Sequence, residues 1–276
     1  MKSNLELELP AQDSDSLLPE TGDFAGGKQR LLEECRVYLD QQIAAVRKLH
    51  RDGTSGTRVT RALTEVFDRL NRRIFTLAAA DLGAEADGKC ALLALGGYGR
   101  SEMSPRSDLD LMFYYTDSGQ AVAQQISDRM LYLLWDLNLD VGYSVRSAGD
   151  CLEQAAHDIT VRTALLDARH LAGSSLAWEE FNTRVMKKYV LGNSPQAFVK
   201  AKLIENQERR KKYGSSVYLL EPNIKEGEGG LRDLHAALWI ARIKFKAASL
   251  RDLVIKGVLN EGEAEAEYTS EIMSNI

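Results

Sequence analysis

The stretch from Leu92 to Tyr115, LLALGGYGRSEMSPRSDLDLMFYY, limits this chain more than any other part of it. An apolar run from Ala91 to Leu95 is short enough for a buried strand. Gly96 and Gly97 follow at once, and Gly99 two residues later. A polar loop with Pro105 leads to Ser107-Asp108-Leu109-Asp110-Leu111 and the aromatic run Phe113-Tyr114-Tyr115. The pattern predicts strand, glycine turn, loop, strand. Side chains alternate along a strand, so Asp108 and Asp110 are expected on one face, with Leu109 and Leu111 on the other.

Two carboxylates two residues apart on one face make a hard-oxygen pocket and repel each other unless a cation lies between them. Mg²⁺ suits such a pair, because it accepts one or two carboxylates and fills its remaining positions with water and substrate phosphates. Glycines without Cβ let backbone N–H groups come close to phosphate oxygens. Taken singly, a D-x-D pair is more often a solvated strand edge, and Gly-Gly is usually a turn. Together and in this order they suit attack on a nucleoside triphosphate. The spacing is neither the dinucleotide fingerprint nor a P-loop, since no G-K-[ST] follows.

At 276 residues the chain can bury a sizeable core. A formal net charge of -5 speaks against a nucleic-acid partner. No apolar run approaches the ~20 residues of a membrane span, and the N-terminus lacks a signal-peptide pattern. Cys35, Cys90 and Cys151 form neither a disulfide framework nor a zinc pattern, which suits buried thiols in the cytoplasm.

Residues 1–27 are polar and broken by Pro and Gly, and are read as a disordered tail. Residues 28–80 form an N-terminal helical segment. Leu32, Cys35, Leu39, Ile43 and Val46 mark one amphipathic helix, and Val59, Leu63, Val66, Leu70, Ile74 and Leu77 a second. Residues 81–150 hold the expected α/β (α+β) core: the two strands above, a helix over Gln120–Leu137, and a third strand over Leu139–Arg146. Residues 151–276 read as helical: Asp158 capping Ile159 to Leu171, then Ser174–Val190, a charged helix from Ser194-Pro195 to near Gly214, and Leu231–Phe245. The basic run Arg209–Lys212 is read as a solvated helix face rather than a phosphate site. His157 is read as a surface residue, and His235 as structural.

Two motifs carry a resemblance. GG-x-x-R-x-E-x-x-P-x-SD-x-DL, from Gly96 to Leu111, and EPNIKEGEGGLRD, from Glu221 to Asp233, are similar to signatures of the bacterial PII uridylyltransferase / uridylyl-removing enzyme family. The resemblance runs from about Gly53 to the C-terminus and implies a polymerase-β-type nucleotidyltransferase core with a small mixed sheet. Proteins of that family continue into a hydrolase domain and ligand-sensing domains, so the chain is expected to represent the nucleotidyltransferase part alone.

The implied reaction moves UMP from UTP to a tyrosine of the PII signalling protein and releases pyrophosphate. Transfer of AMP or another nucleotide to a different protein, and an inactive binding module, stay open beside it. The implied site has Asp108 and Asp110 on Mg²⁺, Gly96 and Gly97 on the phosphates, and Asp140 as a third carboxylate unless it faces solvent. Arg100 either meets the leaving group or pairs with Glu102. Ser107 either bonds a phosphate or closes the turn. The segment Gly227–Gly230 either presents an anion site at a helix start or is a structural turn. Ser101 and Tyr143 stand where the family commonly has glycine and histidine, and Glu228 where it often has proline.

Overall fold

The computed structural model describes residues 18–19, 24, 26–83, 88–213, 223, 225–247 and 250–262. Contacts divide the chain into one unit of Met1–Ser147 with Arg169–Trp178, and a second of Ala148–Ala168 with Glu179–Ile276.

The first unit is built on two long helices, α1 (Lys28–Arg51) and α2 (Gly56–Ala80). Their apolar stripes fall where the periodicity predicts. Cys35, Leu39 and Val46 of α1 are buried, as are all six expected positions of α2 from Val59 to Leu77. Leu70 and Ile74 are 0 % exposed, so truncating either to Ala is expected to cost ~2–5 kcal/mol through lost transfer energy and a cavity. Of the segment read as a tail, most lies outside the described residues. Leu18 is nevertheless buried in the core cluster, and the Pro19 carbonyl accepts a hydrogen bond from Arg73 Nε.

The sheet follows: β1 (Cys90–Ala94), a single helical turn α3 (Gly96–Gly99), β2 (Leu109–Tyr115), α4 (Gln120–Asp136) and β3 (Val141–Arg146). Strand β2 begins at Leu109 rather than Ser107, and β3 at Val141 rather than Leu139. Residues 169–171, expected at the end of a helix, belong instead to a fourth strand, β4 (Arg169–Gly173). It pairs antiparallel with β1, and its last residue, Gly173, has φ +84 and no room for a Cβ beside Cys90 O and the Phe75 ring. Pairing with β1 overrides the local helical pattern there.

The sheet order is β3-β2-β1-β4, with β1 antiparallel to both neighbours and β2 parallel to β3. One face, carrying Leu92, Ala94, Leu109, Leu111 and Phe113, joins α1, α2 and α4 in the core. This is the expected mixed α/β core, preceded by helices.

The second unit is helical. α5 (Ala148–His157) meets α6 (Ile159–Leu166), whose cap is Asp158, accepting from Thr160 N at 2.7 Å. α7 (Ser175–Glu180), whose first four residues belong to the first unit, leads into a π-helical stretch, Phe181–Val190. α8 (Pro195–Tyr213), α9 (Leu231–Phe245) and α10 (Leu250–Ile255) complete it. Asp167, buried, accepts from Trp239 Nε1 and Arg242 and ties α9 to the end of α6. Among the described residues no helix is long and apolar enough to cross a membrane, and all three cysteines are free and buried.

Candidate active site

Strand β1 runs out at Ala94, and the next amide, Leu95 N, still bonds Asp110 O across the sheet at 2.9 Å. The chain then leaves the sheet plane through Gly96, whose φ of +55 is a backbone state that L side chains rarely adopt. The turn α3 closes with Gly99 N to Leu95 O and Arg100 N to Gly96 O. Asp110 is the second residue of β2. Its neighbours Leu109 and Leu111 point into the core, so its carboxylate emerges on the opposite face.

Two glycines flank that carboxylate. A Cβ on Gly96 would lie 2.7 Å from Asp110 Oδ2, and a Cβ on Gly142 would lie 2.7 Å from Oδ1. Gly142 is the register partner of Asp110 across the parallel β2–β3 pair. Each carboxylate oxygen therefore lies against a bare Cα, and a side chain at either position would push it aside. Gly142 was not among the expected site residues. The signal was present: a lone glycine inside an alternating strand often marks a close approach.

The other expected residues are placed as follows. Asp108 is exposed and precedes the first paired residue of β2, so the pleat that orients Asp110 does not extend to it. Ser107 closes the turn, its hydroxyl accepting from Ser104 N at 3.1 Å while its own amide donates to Ser104 O. Arg100 pairs with Glu102 at 2.7 Å, and its guanidinium passes 3.9 Å from where a Gly97 Cβ would stand. Asp140 is exposed at the entrance to β3, and its carbonyl accepts from Leu109 N at 2.8 Å. Among the described residues no three His, Cys, Asp or Glu side chains form a group able to hold a metal, so Asp108, Asp110 and Asp140 do not form a ready-made trio.

In the second unit the basic run is not a wholly solvated face. Arg209 donates to Glu226 O and to Asp233, and Arg210 bonds Asp233 at 2.8 Å and Glu228 at 2.9 Å. These contacts fasten the glycine segment to α8, while Lys211 and Lys212 stay exposed. Asp233 also accepts from Gly229 N at 2.9 Å. Burial alone would push its carboxyl up, but the Gly229 amide and the two arginines outweigh it and hold it below the usual range. Gly227–Gly230 thus behaves as a structural turn. His157 is exposed, and His235 is buried beside the Trp239 ring.

Comparison with known proteins bears on the family of the chain. Residues 40–149 match a nucleotidyltransferase family model, DUF294, and residues 197–271 match the model described as GlnD PII-uridylyltransferase. Proteins named bifunctional uridylyltransferase/uridylyl-removing enzyme align over most of the chain. That of Rhodospirillum rubrum is 40% identical over 86% of this chain, that of Azospirillum brasilense 36% over 92%, and that of Nitrobacter hamburgensis 41% over 80%. The chain belongs to the PII uridylyltransferase family. It spans about a quarter of the length of these relatives, 26%, 28% and 24% respectively.

Proposed function

We propose that the chain catalyses transfer of UMP from UTP to a tyrosine hydroxyl of a PII signalling protein. The observation that carries this reading is the seat of Asp110 between two glycines at the mouth of the turn. The donor set fits Mg²⁺: the part-exposed carboxylate of Asp110, with each oxygen beside a Cα that bears no side chain, and a second carboxylate, Asp108, two residues upstream and exposed. When bound there, the ion would neutralise triphosphate charge and hold the reacting oxygens in line.

The chain's own groups do the rest. Asp108 and Asp110 would hold the ion. Gly96 and Gly97 offer backbone without side-chain obstruction to the β- and γ-phosphates. Arg100, kept in place by Glu102, adds positive charge beside the turn where the leaving pyrophosphate would lie. Asp140, at the head of the strand that carries Gly142, is the candidate to take the acceptor proton. The tyrosine oxygen forms a bond to the α-phosphorus, the bridging bond to the β-phosphate breaks, and pyrophosphate departs with the electron pair.

The test is mass spectrometry of PII after incubation with the protein, UTP and Mg²⁺, with ATP in a parallel tube. The expected result is one uridylyl group on a tyrosine peptide, absent with Asp110→Ala. Label from ATP alone would replace the nucleotide assignment. Mg²⁺-dependent triphosphate binding without any transfer would make the chain a binding module.

A further inference from the structure

The turn that seats Asp110 has little stiffness of its own. Three of its four residues are glycines, and a helix of one turn is marginal without outside support. Its support comes from beneath. Arg169, the first residue of β4, donates through Nη2 to Tyr98 O at 3.0 Å and through Nε to Gly99 O at 3.2 Å. The same guanidinium binds Asp68 of α2 with two bonds, Nη1 to Oδ2 at 2.6 Å and Nη2 to Oδ1 at 3.0 Å. It also lies over the Tyr98 ring, 5.6 Å from its centre. Asn71 reaches the Tyr98 hydroxyl at 3.2 Å, and Thr64 accepts from Met103 N just beyond the turn. Asp68 is buried, so once Arg169 is gone water does not replace it, and the 3.2 Å bond from Arg72 is what its charge keeps.

We infer that Arg169, anchored by Asp68, is a positioning residue of the nucleotidyl-transfer site. It holds the two carbonyls at the far end of the turn and so fixes Gly96, at the near end, against the Asp110 carboxylate. The inference rests on the reading of that carboxylate as the metal-holding group. The guanidinium is needed for its shape: one planar fork reaches a carboxylate and two backbone carbonyls at once. A lysine keeps the charge for Asp68 but, as a single point, loses the grip on the turn.

The experiment compares the wild type with R169K and Arg72→Ala, the latter as control. Arg72 touches Asp68 at 3.2 Å and Leu171 O at 3.0 Å but not the turn. Hydrogen exchange of peptides covering 95–103 is expected to quicken about tenfold or more in R169K, with β1 and β2 unchanged and the control like wild type. In transfer assays well below the melting temperature, the KM for UTP is expected to rise about tenfold while kcat falls less. A merely structural contact would lower the melting temperature and leave both constants alone. Unchanged exchange in R169K, an equal rise in the control, or wild-type KM and kcat would overturn the inference. Should the wild type neither transfer nor bind any Mg²⁺-triphosphate, the proposed function falls, and the exchange data still decide whether Arg169 sets the turn. If R169K does not fold, Asp68→Asn is read in the same amides, where no loosening again counts against the inference.

Discussion

Adding one methyl group at Gly142 tests the seat of Asp110 without touching the acid itself. Gly142 lies outside the left-handed region, so alanine is compatible with its backbone, and alanine suits a strand better than glycine. The new Cβ would arrive 2.7 Å from Asp110 Oδ1, and ordinary contact needs roughly 3.5 Å. The carboxylate must therefore retreat by roughly 0.8 Å, by rotating its side chain away from β3. An off-rotamer side chain costs ~0.5–1.5 kcal/mol, so the fold survives with a small change in melting temperature. Catalysis does not tolerate the same shift, since a misplacement of about 1 Å can cost about 100-fold in rate. The expectation for Gly142→Ala is thus a fall in kcat/KM of about 100-fold, equivalent to ~2.7 kcal/mol of transition-state stabilisation. The measurement pairs steady-state uridylyl transfer with thermal unfolding of the same sample. Wild-type kcat/KM in a folded Gly142→Ala protein would refute the reasoning, because the position of that carboxylate would then not matter.

Two further outcomes follow from single residues. Ser101 has φ +65, just after the turn, where glycine carries no steric penalty; Ser101→Gly is expected to raise stability by up to ~1 kcal/mol, read as a shift of the denaturation midpoint at constant m. Burial pushes the His170 imidazole below its ordinary 6.5, with Arg72 adding to it against the opposing pull of the Ala172 and Gly173 backbone. The unfolded chain then binds the proton more readily, so stability is full above pH 6.5 and falls as pH drops through 6.5 toward the lower folded value. Replacing His170 with Gln is expected to flatten that limb in melting curves taken from pH 7.5 to 5; an identical limb in both proteins would refute it.

The sequence makes some of this architecture plain and hides the rest for identifiable reasons. The helices α1 and α2 are legible because their stripes repeat over many turns, so isolated exceptions do not blur the period. Asp110 is legible because Leu109 and Leu111 on either side bury themselves and force it outward. Asp108 is a different case. Its spacing from Asp110 looks the same on paper, but pairing starts one residue later, and alternation predicts a face only inside the paired strand. Strand β4 could not be read at all. Its five residues, RHLAG, show no alternation and continue directly from a helical pattern, and their strand state comes from β1 and from the contact of Arg169 with an acid 101 residues away. Contacts of such separation leave no local mark. The grip of Arg209 and Arg210 on the glycine loop was hidden in the same way, because a basic run looks identical whether it meets solvent or a distant aspartate.

The least legible strand and the least expected glycine bear on the same carboxylate. Asp110 lies between a turn and an edge strand, and each boundary has its own origin. Gly142 is set by the parallel register of β2 and β3, which the core face of the sheet enforces through Leu109, Leu111 and Phe113. Gly96 is set by the turn, whose far end Arg169 holds. The two boundaries therefore respond to different perturbations. Loosening the brace frees one carboxylate oxygen and leaves the other confined, whereas a methyl on Gly142 displaces the group against a turn that still holds. Combining R169K with Gly142→Ala should thus cost less than the product of the two single effects, because a loosened turn gives the displaced carboxylate somewhere to go. A double-mutant cycle reads that coupling directly, and strict multiplicativity would mean that turn and strand do not confine the same group.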